Sequence, residues 1–135
     1  MERKLIKSGQ IKVLKNNVKF NLELVDDDYF EITSFVKDNK VGFCNFKIIH
    51  KENMCFLNYI EMTDETYEHQ GIASTMLKIM ESFASKRGCY MVNGKFYPKK
   101  AGTEPFYEKN GYTISNEGYG KEIFKNIMFI DELNF

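Results

Sequence analysis

One stretch of the chain combines residue types and spacing that can do chemistry. In Tyr67-Glu68-His69-Gln70-Gly71-Ile72-Ala73-Ser74-Thr75-Met76-Leu77 a polar loop with one glycine runs straight into an amphipathic segment. The N-terminus of a helix presents unpaired backbone N–H groups and about half a positive charge, so such a junction can hold a phosphate without any basic side chain. Gly71 lets the backbone approach a ligand closely, and the small Ala73 and Ser74 keep the first turn uncrowded. The same glycine is equally consistent with a plain strand-to-helix turn, and spacing alone does not separate the two readings.

The elements that must position this loop follow from periodicity. Val18 to Val25 alternates apolar with polar residues, the period of a half-buried strand, and Asp26-Asp27-Asp28 turns it. Tyr29 to Lys37, Val41 to Ile49 and Met54 to Met62 continue as strands with polar turns between them, which gives an antiparallel meander of four strands. The period then changes: Ile72, Met76, Leu77, Ile79, Met80, Phe83 and Ala84 recur at helical spacing, so a helix runs from Gly71 to Lys86 and stops at Gly88. A fifth strand over Cys89 to Phe96 follows in a β-helix-β order that favours a parallel neighbour. Glu104 to Lys109 reads as a short helix. Tyr112 to Ile114 and Glu122 to Ile130 complete the sheet, with a glycine-bearing turn over Asn116 to Gly120. The expected fold is α+β, one mostly antiparallel mixed sheet in the order β-β-β-β-α-β-α-β-β, and the 135 residues form a single domain.

Composition limits the partners. Nineteen basic residues balance nineteen acidic ones, so no net field favours nucleic acid or an anionic membrane. Met1 to Gln10 is basic and lacks a leader's apolar run, and no 18-residue apolar stretch occurs. Cys44, Cys55 and Cys89 are widely spaced and odd in number, which reads as reduced core cysteine in a soluble cytoplasmic protein, with no metal site expected. The final segment, Ile127 to Phe135, reads as an exposed strand end able to pair across a homodimer; a monomer is the other possibility.

Two motifs in order resemble the GNAT family of N-acetyltransferases. Gln70-Gly71-Ile72-Ala73 followed by Ser74-Thr75-Met76-Leu77 is similar to the second half of that family's acyl-CoA signature. Phe106-Tyr107-Glu108-Lys109-Asn110-Gly111-Tyr112 resembles its late helix and Phe-Tyr-x-x-x-Gly-Phe/Tyr ending. The resemblance spans Phe30 to Tyr119. It departs from the family at Glu68, where Gln or Arg is usual, and between the first two strands, where only Asp26-Asp27-Asp28 replaces the two helices that wall the acceptor pocket.

The resemblance implies acetyl-CoA as acyl donor and a primary amine, on a small molecule or a protein, as acceptor. Transfer by direct attack needs a neutral amine, a polarised carbonyl and a proton for the departing thiolate. Tyr107 takes the position of the general acid, whereas Tyr112 reads as core. Glu61, at the end of the fourth strand, is the candidate base, with Glu65, Glu104, His50 or water alone as competitors. A main-chain N–H near Ile60 to Met62, on a strand splayed from the fifth, would polarise the carbonyl. The amides of His69, Gln70, Gly71, Ile72, Ala73 and Ser74, with the hydroxyls of Ser74 or Thr75, would hold the pyrophosphate. Asn93 and Lys109 are candidates further along the cofactor, and Lys99 and Lys100 are additional cations near the phosphates. The alternative reading is an acyl-CoA-binding module that is catalytically weak, motivated by Glu68 and the missing acceptor helices.

Overall fold

The computed structural model describes residues 2–97, 102–116 and 120–135. Eight strands form one sheet: β1 (Lys4–Val13), β2 (Asn16–Asp26), β3 (Tyr29–Val36), β4 (Asn39–Ile49), β5 (Met54–Met62), β6 (Met91–Phe96), β7 (Thr113–Ser115) and β8 (Lys121–Asn126). Helix α1 (Ile72–Lys86) joins β5 to β6, and α2 (Thr103–Lys109) lies between β6 and β7. The spatial order is β1-β2-β3-β4-β5-β6-β8-β7, antiparallel throughout except for the β5–β6 pair. The mixed, mostly antiparallel α+β sheet expected from periodicity is therefore present.

The alternation seen in the sequence builds the core. Phe20 and Leu22 of β2, Phe30 and Ile32 of β3, Cys44 and Phe46 of β4, and Cys55 and Leu57 of β5 are all buried. The helix supplies Met76, Leu77, Ile79, Met80 and Ala84 from its apolar stripe. Phe83 of α1 meets the rings of Phe30 and Phe46 at centroid distances of 4.9 and 6.0 Å. All three cysteines are free and buried, and burial pushes each thiol above its ordinary range. Helix α2 joins the same layer: Tyr107 packs 5.1 Å from Phe96, and the Tyr112 hydroxyl donates to Glu81 of α1 at 2.7 Å. Glu81 is only 3% exposed, and its second oxygen accepts from Lys125 of β8 at 2.9 Å, so a buried carboxylate ties α1 to the late strands. The opposite face of the sheet, bearing the stacked Phe43–Tyr59 pair, carries no helix among the described residues.

Two expectations change. The segment through Gln10, read only as a basic N-terminus, is most of strand β1. As the edge strand it is exposed along nearly its whole length, so its sequence lacks the alternation that a one-sided burial imposes. The last strand ends at Asn126 rather than Ile130, and β8 lies between β6 and β7, so it offers no free edge for pairing across a dimer. Residues 127–135 instead strap the domain. Ile127 is fully buried, the Leu133 amide donates to Ser82 Oγ at 3.2 Å, and Lys7 Nζ sits 4.8 Å over the Phe135 ring. Gly9 is required beneath that strap, because a Cβ there would lie 2.5 Å from the Phe135 backbone.

Candidate active site

The site begins where two parallel strands part. β5 and β6 pair from Met54↔Met91 to Leu57↔Gly94, after which β5 runs on to Met62 against β4 alone. A bulge falls at the point of divergence: β4 pairs Phe46 with Leu57 but Asn45 with Tyr59, leaving Asn58 over. A bulge bends its strand and strengthens the local twist, which turns β5 away from β6. The β6-facing edge of residues 58–62 is thereby left without a strand partner, and this is the edge where a main-chain donor from Ile60 to Met62 was expected. Gly42 lets β4 hold the other edge closely, since a Cβ there would lie 2.9 Å from the Glu61 carbonyl oxygen.

Beyond β5, a short 3₁₀ turn at Glu65–Tyr67 leads into the loop before α1. His69 (φ 62°) and Gly71 (φ 83°) are both left-handed, on either side of Gln70. Gly71 is the N-cap of α1, and no side chain caps the helix or places acid in its first turn. The first helical bond is Thr75 N–H to the Gly71 carbonyl at 3.0 Å, so helix geometry gives the amides of Ile72, Ala73 and Ser74 no partner within the helix. An uncapped helix N-terminus without nearby carboxylates in its first turn is suited to an anion.

The side chains of the loop are differently employed. Gln70 accepts from Asn16 Nδ2 at 2.6 Å and donates to the Thr66 carbonyl at 3.0 Å, so it acts as a brace. The Thr75 hydroxyl donates to the Gly71 carbonyl at 2.8 Å. Ser74 Oγ accepts from Asn110 Nδ2 at 3.1 Å, which links the start of α1 to the end of α2 and leaves the serine hydrogen free to donate. His69 is exposed, and half-buried Glu68 closes the 3₁₀ turn with its amide to the Glu65 carbonyl at 3.2 Å.

Tyr107 is the strongest acid candidate. It is 6% exposed, enclosed by the rings of Phe96, Phe106 and Tyr112, and its hydroxyl has no hydrogen-bond partner among the described residues. Burial pushes its pKa up to about 12, so it remains a proton donor across the whole physiological range. Tyr112 is held by Glu81 and has a structural role, as expected. Glu61 is exposed at the far end of β5, opposite Phe43 of β4. Two of its competitors are engaged elsewhere: Glu104 pairs with Lys121, and His50 pairs with Asp28 at 2.9 Å at the other end of β5. The acidic turn of Asp26 to Asp28 also lies at that end, and Asp27 and Asp28 line a cavity of about 690 Å³ with Phe30 and Arg87.

Asn93 stands on β6 opposite Phe56, just below the divergence, and lines a cavity of about 340 Å³ with Met91, Lys95 and Phe124. Its Oδ1 is the one buried side-chain polar atom among the described residues without a hydrogen bond. The Lys109 ammonium lies 5.8 Å over the Phe106 ring in the last turn of α2. Lys99 and Lys100 lie outside the described residues. Sequence reasoning missed Asn16 and Asn110, whose contacts to the loop cross 54 and 36 residues and leave no local signal.

Parallel strands that part beyond Leu57 and Gly94, an uncapped α1 N-terminus tied to α2 through Ser74 and Asn110, and a buried Tyr107 packed on Phe96 of β6 are the parts of this site. Residues 26–114 match the acetyltransferase (GNAT) domain model, and the chain belongs to the GNAT family, a class of acetyl-CoA dependent N-acetyltransferases. Among solved structures it is similar to the PaiA N-acetyltransferase of Thermoplasma acidophilum in complex with coenzyme A, with 24% identity over 73% of this chain and 61% of that one and a TM-score of 0.67. It is also similar to the ribosomal-protein-S18-alanine N-acetyltransferase of Escherichia coli, with 20% identity, 82% and 77% coverage and a TM-score of 0.62. The SpeG spermidine N-acetyltransferase of Vibrio cholerae matches at 12% identity, with 76% and 67% coverage and a TM-score of 0.63. No curated protein matches the sequence significantly. No helix among the described residues is long and apolar enough to cross a membrane.

Proposed function

We propose that this protein transfers the acetyl group of acetyl-CoA to a primary amine by direct attack. The observation that carries the reading is the uncapped N-terminus of α1, joined through Ser74 to Asn110 at the end of α2, the helix that bears buried Tyr107, whose hydroxyl has no hydrogen-bond partner among the described residues. The amides of His69 to Ser74 hold the pyrophosphate, aided by the Ser74 hydroxyl. A main-chain N–H between Ile60 and Met62 donates to the thioester oxygen as negative charge develops on it. The amine nitrogen bonds to the acetyl carbon and the carbon–sulfur bond breaks. Tyr107 gives its proton to the departing thiolate, while Glu61, directly or through water, takes the proton lost by the amine. Asn93 and Lys109 contact the cofactor further along.

Among the structural neighbours, one acts on an alanine of a ribosomal protein and one on spermidine, which supports protein amines and small polyamines alike as the acceptor class. Equal numbers of acidic and basic residues argue against nucleic acid or an anionic membrane surface as the partner, and three free buried cysteines accord with a cytoplasmic location. The helix-free sheet face favours a second reading, a CoA-binding module with weak transfer.

Incubation with acetyl-CoA and a panel of amines and peptides, read by thiol release, separates the two: release that depends on the amine supports the enzyme, and binding without release supports the module. The pH profile adds a sign. Because Tyr107 titrates only near 12, the rate should climb with pH as the acceptor amine loses its proton and should show no falling limb below about pH 10. A decline beginning near pH 8 would point to a different acid.

A further inference from the structure

The loop that cradles the anion is conformationally expensive. His69 and Gly71 are both left-handed, and a non-glycine residue in that region costs about 1 to 2 kcal/mol, so such a conformation persists only where surrounding contacts impose it. Among the described residues, two such contacts come from the β1–β2 hairpin. Asn16 Nδ2, at the first position of β2, donates to Gln70 Oε1 at 2.6 Å. Val13, the last residue of β1, stands so near Gly71 that a Cβ on the glycine would lie 3.2 Å from its Cγ1. Gln70 passes the restraint on, since its Nε2 donates to the Thr66 carbonyl in the preceding 3₁₀ turn. Hairpin, 3₁₀ turn and helix N-terminus are thus joined through one side-chain amide. Both hairpin residues precede residue 26, where the match to the family domain begins.

We infer that the β1–β2 hairpin is part of the CoA site and that Asn16 is a positioning residue for it. Its hydrogen bond to Gln70 holds the loop so that the amides of residues 71–74 face the pyrophosphate before the cofactor arrives. This rests on the reading of the α1 N-terminus as the CoA site. Pre-forming a site removes an ordering cost from binding and leaves the chemical step unchanged. Asn16 therefore acts on cofactor affinity through Gln70 and touches neither cofactor nor acceptor.

The test uses the full chain and coenzyme A as probe. Calorimetry on Asn16→Ala should give a dissociation constant roughly fivefold weaker than wild type, the effect of one net hydrogen bond. The KM for acetyl-CoA should rise in step while kcat at saturation stays within twofold. Amide hydrogen exchange over residues 69–74 should accelerate in the unliganded variant, a readout that needs no activity. In a double-mutant cycle with Gln70→Ala the two losses should be non-additive, because both remove one interaction. Asn16→Gln, which keeps the donor, should recover part of the affinity. Unchanged affinity and exchange in a folded Asn16→Ala protein, with wild type binding coenzyme A, would overturn the inference alone. Failure of wild type to bind would overturn the reading of the site beneath it.

Discussion

Replacing Tyr107 with phenylalanine is expected to lower kcat by roughly 100-fold, the usual contribution of a positioned general acid. The KM for acetyl-CoA should stay within twofold, since the ring and its packing against Phe96, Phe106 and Tyr112 are retained. Thermal stability should not fall, because the hydroxyl makes no hydrogen bond to any described residue whose loss could cost anything. This separation of rate from stability marks a group held ready for a reacting atom. Tyr112 provides the contrast. Its hydroxyl donates to buried Glu81, so Tyr112→Phe should destabilise the fold by about 1 to 3 kcal/mol, the cost of leaving a buried acceptor short of a donor. Steady-state kinetics and thermal melts on the two variants check both halves. An unchanged kcat in Tyr107→Phe would remove the tyrosine from the mechanism.

The second large effect belongs to Gly71. A Cβ at φ 83° costs about 1 to 2 kcal/mol of backbone strain and would stand 3.2 Å from Val13 Cγ1. Gly71→Ala should therefore lower the melting temperature by several degrees and turn the loop away from its present path. Amides that leave the phosphate lose charge-assisted bonds worth about 1.5 to 3 kcal/mol each, so the KM for acetyl-CoA should rise roughly 10- to 100-fold. Gly71→Asn should recover part of the stability, because asparagine tolerates the left-handed region better than alanine. Equal losses in the two variants would show that bulk against Val13, and not backbone conformation, is the constraint.

The residues explain which parts of this arrangement were legible in sequence. Strands β2, β4 and β5 alternate because one face packs in the core and the other is more open, whereas β3 is buried on both faces from Phe30 to Ser34; α1 shows its stripe because one side of it meets the core. The Gly71 loop and the Phe106-Tyr107 segment are local in sequence, so their resemblance to a known family could carry fold and chemistry together. Strand β1 was not legible, since an exposed edge has no buried face to impose a pattern. The strap formed by residues 127–135 was mistaken for a strand because Ile127 is apolar and buried, yet what buries it is tertiary packing and not a ladder. The brace from Asn16 to Gln70 and the link from Asn110 to Ser74 are products of topology, joining residues far apart in the chain. The divergence of β5 from β6 was expected from resemblance alone. Its structural basis, the bulge at Asn58, leaves no mark that a single sequence reveals.

The helix-free sheet face bears on the acceptor. Phe43 and Tyr59 stack there at 5.9 Å, with Tyr59 54% exposed and Glu61 nearby on the same strand. An acceptor that approaches Glu61 from this side meets aromatic surface before it meets the carboxylate.

The most direct test of the account is a crystal structure of the protein with bound coenzyme A. The expected result places the pyrophosphate on the amides of residues 71–74, the pantetheine arm between β5 and β6 beyond Leu57 and Gly94, and the sulfur within about 3.5 Å of the Tyr107 hydroxyl. A cofactor bound outside this gap, or a sulfur far from Tyr107, would contradict it.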